Sequence, residues 1–137
     1  MGGAEGKGTA KDDLSGITNA LAAPKEFGGT GEGTNPEELL AMAVASCYSI
    51  TFGIIAKNRK LPFESIATSA VGEVEQNGAA FTYKKITIKP VITLTGADEA
   101  QLKVAEDMSH KADLYCIITN AVRDKVAIEV QPTIVNN

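Results

Sequence analysis

The sequence predicts an α+β fold with a mainly antiparallel sheet and a long buried central helix. Three observations predict it: a run without charge from Leu39 to Ala56 behind a helix-start signal, alternating segments on either side of Asn77-Gly78, and a second helical period followed by a last alternating run.

Residues 1–16 are rich in Gly, Lys and Asp and read as a loop or frayed terminus. Ile17 to Ala22 reads as a short strand ending before Pro24, and Glu26 to Gly33 as a Gly-dense loop. Thr34 and Glu37 form a T-x-x-E capping box, with Pro36 in the first turn where its missing N–H costs little. The helix should run from about Asn35 to Lys57, closed by Pro62. Its uncharged stretch reaches the lower length limit of a membrane span. Ser46, Cys47, Tyr48, Ser49, Thr51 and Gly53 make its second half too polar for lipid, so it reads as a buried helix.

Beyond Pro62 the period becomes alternating. Ile66 to Gln76 and Phe81 to Thr95 read as paired strands around the Asn77-Gly78 turn, with a bulge or edge position at Pro90. Asp98 to Ala112 carries Leu102, Ala105, Met108 and Ala112 at helical spacing. Cys116 to Val122 reads as a short helical stretch and Val126 to Val135 as the last strand.

With 137 residues and 44% apolar content, residues 1–137 suit a single domain with a real core. A net charge of −4 argues against nucleic-acid or acidic-membrane partners, and the densest basic cluster, Lys57-Asn58-Arg59-Lys60, is too short for a binding stripe. No charged segment precedes an apolar one at the start, so the expected compartment is the cytoplasm.

The chemistry rests on two cysteines, Cys47 and Cys116. A structural disulfide is disfavoured in a reducing compartment. Two Cys and the lone His110, without a C-x-x-C pair, make a poor metal site, and no metal or other cofactor is expected. His110, on a helix among Lys and Asp, reads as a surface residue and not as the base of a Cys–His hydrolase. Reduced core thiols and a redox pair both remain open.

The segment Pro24-Lys25-Glu26-Phe27-Gly28-Gly29-Thr30-Gly31-Glu32-Gly33-Thr34-Asn35-Pro36-Glu37-Glu38-Leu39-Leu40, followed by Ala45-Ser46-Cys47-Tyr48, closely resembles the P-x-E-x-G-G-x-G-x-G-T-N-P-E-x-L…Cys signature of the OsmC/Ohr family. Cys116-Ile117-Ile118-Thr119-Asn120-Ala121-Val122-Arg123 is similar to that family's late Cys, short helical turn and basic residue. The likeness spans nearly the whole chain, and Phe81-Thr82-Tyr83-Lys84-Lys85 points to an OsmC-like branch and not to Ohr itself. It implies an intertwined homodimer working as a Cys-based thiol peroxidase on organic hydroperoxides. Cys47 would become a sulfenic acid, Cys116 would condense with it to a disulfide, and a dithiol reductant would reopen the bond. Glu37 matches the glutamate that fixes an arginine beside the reactive sulfur.

A thiol with an ordinary pKa of about 8.5 is mostly protonated at pH 7, so a peroxidatic Cys needs a cation or dipole nearby. Cys47 lies too deep in its helix to use that helix's own N-terminus. Glu37 and Cys47 are ten residues apart, about 15 Å along a helix. If they share a site, Glu37 must come from a second subunit. The family's arginine lies in a G-G-R-x-G loop, where this chain has Gly2-Gly3-Ala4-Glu5-Gly6. Lys7, Lys11 and Arg123 are the candidate substitutes; without one, the Cys47 pKa should stay near its ordinary value. The alternative function is a non-catalytic homodimeric binding protein for an apolar small molecule, with Phe27, Met42, Tyr48 and Phe52 lining its pocket. In the peroxidase reading, a pocket of Phe, Met and Leu should favour apolar hydroperoxides over hydrogen peroxide.

Overall fold

A computed structural model describes residues 6–137. The chain divides into two compact units, one up to Leu40 and one from Ala41 onward.

In the first unit, β1 (Gly8–Lys11) pairs antiparallel with β2 (Thr18–Leu21), Gly8 opposite Leu21 and Lys11 opposite Thr18. The expectation of a loop across residues 1–16 is therefore corrected at residues 8–11. Lys and Gly content hid a strand that gains its ladder from β2. The intervening turn is closed by Asp12, whose side chain accepts from the Ser15 N–H at 2.6 Å while its own N–H donates to the Ile17 carbonyl.

The Gly-dense loop after β2 is folded back on its own strand. The N–H groups of Gly29, Gly31 and Thr34 donate to the carbonyls of Pro24, Ala23 and Ala20, and Ala22 N–H donates to the Thr34 carbonyl. A Cβ at Gly29 would run into the Ala23 carbonyl, so only glycine allows this approach. The loop delivers the chain to α1 (Pro36–Asn58). The cap differs by one residue from the expected box: Asn35 is buried and its Oδ1 accepts from the Glu38 N–H at 2.9 Å, while the Glu38 carboxylate accepts from Thr34 Oγ1. Pro36 at the first helical position makes Asn35, not Thr34, the cap.

From Ala41, α1 is buried along one stripe: Ala41, Val44, Tyr48, Phe52 and Ala56, one turn apart. The helix is long and apolar enough to cross a membrane by length and composition, yet this stripe packs on the protein itself. Tyr48 Oη donates to the Ser109 carbonyl at 2.6 Å, Ser49 Oγ to Thr68 Oγ1 at 2.7 Å, and the Phe52 ring meets Phe63 at 6.0 Å. The expectation of a buried helix thus holds along that face, while Met42, Ile50 and Ile54 on the opposite side are exposed. The helix stops in a Schellman pattern: Lys60 adopts φ 54°, and Leu61 N–H reaches back to the Ala56 carbonyl.

β3 (Phe63–Asn77) and β4 (Ala80–Leu94) form a long antiparallel hairpin. Its turn residues are Gly78 and Ala79, with Gly78 at φ 61° in the first central position, as a type II′ turn requires. Ile86, Ile88, Ile92 and Leu94 of β4 alternate onto one buried face. Two short strands, β5 (Ala127–Val130) and β6 (Thr133–Asn136), then join the other side of β4 in parallel. The expected last strand is broken at Gln131-Pro132. Pro90 is neither at a bulge nor on an edge. It pairs in register with Thr68 and falls between the β5 partners (Lys85 to Ile88) and the β6 partners (Val91 to Leu94), where no parallel neighbour needs its N–H.

Between β4 and β5, α2 (Glu99–Lys111) begins at a reciprocal cap. Asp98 Oδ1 accepts from the Gln101 N–H at 2.8 Å, and Gln101 Oε1 accepts from the Asp98 N–H at 2.9 Å. A 3₁₀ turn (Ala112–Tyr115) leads to Cys116 and α3 (Ile117–Val122). The fold is α+β, its sheet dominated by the antiparallel β3–β4 hairpin. Replacing Asp98 with Ala removes one half of the cap and strands the Gln101 N–H. It should lower unfolding stability by about 1 kcal/mol, read as a lower urea midpoint at unchanged slope.

Candidate active site

Cys116 is the N-cap of α3, a place usually held by an oxygen-bearing side chain. Its Sγ accepts from the Thr119 N–H at 3.5 Å, and its side chain is fully buried. The turn before it is pinned from α3. Asn120 Nδ2 donates to the Leu114 carbonyl at 3.0 Å, and Arg123 Nη2 donates to the Asp113 carbonyl at 2.9 Å. The Arg123 guanidinium also pairs with the buried Asp113 carboxylate at 3.3 Å. Arg123 is thus committed to Asp113 and holds the turn, whereas it was a candidate cation for Cys47.

Cys47, half-buried on α1, faces this first turn of α3. Both cysteines are reduced, and their sulfurs interact. Burial raises the Cys47 pKa. It is outweighed by the hydrogen bond from Cys116, the backbone N–H of Ile118, the Thr51 hydroxyl and the backbone N–H of Ile117, so the pKa lies below its ordinary value. Cys116 moves the opposite way. Burial pushes it up, and so does the bond it gives to Cys47; the Thr119 hydroxyl and N–H act in the other sense, and the Cys47 charge again raises it. The two thiols are therefore shifted in opposite directions, Cys47 toward easier and Cys116 toward harder loss of its proton. The donors to Cys47 are amides at the start of α3, one hydroxyl and one thiol, where a cationic side chain was expected. Amide donors leave no trace in residue identity, and the sequence reading missed them for that reason; Thr51, one turn after Cys47, was visible as an i, i+4 neighbour.

Lys7 Nζ pairs with Glu32 at 2.8 Å, and Lys11 ends β1 on the surface; both belong to the first unit. Glu37 is half-buried in the first turn of α1. Ala4 lies outside the described residues. His110 is on the surface, 3.1 Å from Glu106 Oε1. Among the described residues no three His, Cys, Asp or Glu side chains form a metal-binding group.

A cleft of about 380 Å³ opens over Cys47, lined by Ile50, Thr51, Ile54, Ile55, Tyr115 and Ile117. Tyr48 and Phe52 are core residues, Met42 lines a separate cleft with Ser46 and Thr68, and Phe27 belongs to the first unit. The Tyr48 hydroxyl, within the core, has its pKa raised by burial first and then by Asp113 and Glu106. Four of the cleft's apolar residues are largely exposed: Ile50 66%, Ile54 57%, Tyr115 66% and Ile117 80%.

Comparison with known proteins shows the family and the fold. The family model described as OsmC-like protein matches residues 29–131. The chain is similar to the uncharacterised protein YmaD of Bacillus subtilis (strain 168), 32% identical over 86% of this chain and 79% of that one. It is equally similar, at 32% identity over 93% of this chain and 85% of the other, to an organic hydroperoxide resistance protein of Xanthomonas axonopodis pv. citri. Among solved structures, an organic hydroperoxide resistance protein OsmC from Legionella pneumophila superposes with a TM-score of 0.76 at 24% identity, covering 96% of this chain and 92% of that one, which shows the shared fold. With the signature segment from Gly29 onward, the two cysteines and most of its length inside the match, this chain belongs to the OsmC-like family.

Proposed function

We propose that the protein is a thiol peroxidase that reduces organic hydroperoxides through Cys47, with Cys116 as the resolving thiol. The observation that carries this reading is the contact between the two thiols: a half-buried Cys47 with a lowered pKa, lining an apolar cleft, against a buried Cys116 with a raised one. The name of the Xanthomonas relative supports the same substrate class. The Cys47 thiolate attacks the peroxide O–O bond, giving two electrons; an S–O bond forms, and the alkoxide leaves and takes up a proton as the alcohol. Cys116 then attacks the sulfenic sulfur. An S–S bond forms, the S–O bond breaks, and the oxygen departs as water with the Cys116 proton. A dithiol reductant reopens the disulfide by exchange. Protein carrying Cys47→Ser should consume no cumene hydroperoxide in the presence of a dithiol. A non-catalytic binder would instead leave the peroxide untouched in wild type as well. Because the Cys47 pKa is depressed, the peroxide step should rise with pH and level off at a lower pH than for an unperturbed cysteine, read by stopped-flow across a pH series.

The cleft's Ile and Tyr walls favour substrates with apolar bodies. Each buried CH₂ contributes about 0.8 kcal/mol, so a few carbons separate an alkyl hydroperoxide from hydrogen peroxide by tenfold or more in kcat/KM. Equal kcat/KM for cumene hydroperoxide and hydrogen peroxide would remove the cleft from the substrate path.

In this reading the working unit is a cytoplasmic homodimer. A second copy covers the exposed side of α1, where Ile50 and Ile54 stand with Tyr115 and Ile117. It also brings its own Glu37 to the Cys47 site, which the ten-residue separation forbids within one helix. The interface should bury about 2,000 Å² or more, as permanent complexes do. Sedimentation at micromolar concentration should give the dimer mass; a folded monomer there would overturn it.

A further inference from the structure

Thr119 lies in α3, fully buried, with its backbone N–H 3.5 Å from Cys116 Sγ. Its Oγ1 is the one buried side-chain N or O atom among the described residues that makes no well-formed hydrogen bond, and it stands near enough to the Cys116 sulfur to bear on that thiol's pKa. A helical threonine usually relieves this by bonding a carbonyl one turn back, and an unpaired buried hydroxyl is destabilising. Here the hydroxyl stands beside the Cys116 sulfur, which in the reduced state gives its own hydrogen toward Cys47.

We infer that Thr119 is a further catalytic residue: its hydroxyl donates to Cys116 Sγ as that sulfur loses its proton to attack Cys47. The inference rests on the peroxidase reading for its place in the cycle. In the resolving step the Cys116 thiolate attacks the Cys47 sulfenic sulfur; the S–S bond forms, the S–O bond breaks, and the leaving hydroxide takes the proton that Cys116 released, so that water departs. The Cys116 thiolate must exist before that attack, in a buried site that disfavours charge. The Thr119 N–H is already in place; the free hydroxyl supplies a second donor at the moment negative charge appears, without rearrangement. This role also accounts for an otherwise unrewarded buried hydroxyl.

The test compares wild type, Thr119→Val and Thr119→Ser, with Thr119→Ala as a second variant should the valine substitution misfold. After one equivalent of cumene hydroperoxide, formation of the Cys47 sulfenic acid and formation of the disulfide are followed as separate phases in each of them. Disulfide formation should slow roughly tenfold or more in Thr119→Val, the range expected for losing a bond to a charged group. Thr119→Ser should restore it, and Thr119→Val should show more overoxidised Cys47 under excess peroxide. Independently, in a Cys47→Ser background, the pH midpoint of the Cys116 thiolate's ultraviolet absorbance should be higher when Thr119→Val is added than when Thr119 is kept. Equal disulfide rates, or equal thiolate midpoints, overturn the role of Thr119. Failure of cumene hydroperoxide to oxidise Cys47 in wild type overturns the peroxidase reading instead, and the thiolate midpoints then decide the Thr119–Cys116 contact alone.

Discussion

The seating of α3's first turn against α1 at Cys47 is the constraint on which the site depends. Cys116 is at once a capping group of α3, a buried core side chain and the partner of Cys47. Its place is set from two directions. Arg123 and Asn120 hold the Asp113–Tyr115 turn from below, and the Tyr48 hydroxyl on the Ser109 carbonyl joins α1 to the end of α2 that leads into that turn. Moving any of these shifts the amides of Ile117 and Ile118 relative to Cys47. A basic residue near the end of the chain therefore acts through geometry, although its charge suggested a direct role.

The same seating decides the electrostatics. Cys47 loses hydration by burial, which alone would favour the neutral thiol. Backbone amides at a helix start, a hydroxyl and a thiol reverse the sign together; among the described residues no cation contributes at Cys47. Such donors are fixed by the backbone and need no long flexible side chain to be ordered. Cys116 bears the opposite consequence: it is buried and donates toward Cys47, and its pKa is raised. One contact thus moves two chemically identical side chains in opposite directions.

The long hairpin and α1 provide the frame. β4 carries the buried face of Ile86, Ile88, Ile92 and Leu94 and accepts β5 and β6 on its other side, so the chain's end returns beside the strand that follows the Gly78 turn. Pro90 fits because β5 gives way to β6 at that point. α1 packs one stripe on this frame and leaves Ile50 and Ile54 beside the cysteine cleft. In the N-terminal unit Gly29 and Gly33 of the signature loop are required by approach distance, since an added Cβ would run into the carbonyls of Ala23 and Ala20.

Local patterns determined most of the elements. α1, the β3–β4 hairpin, α2 and the short α3 follow from periodicity, Pro36, Asn77-Gly78 and Asp98, because caps, turns and amphipathic periods act within a few residues. The identity of the two thiols, and the likeness of their surroundings to one family, were equally legible. Three things were not: the β1 strand, whose polar residues carry no period and whose ladder exists only with β2; the split of the last strand, which depends on where β4 can accept a parallel neighbour; and the groups that tune Cys47. The last are backbone N–H groups and a hydroxyl. Every residue but proline carries such an N–H, so only the tertiary arrangement decides which of them point at a sulfur.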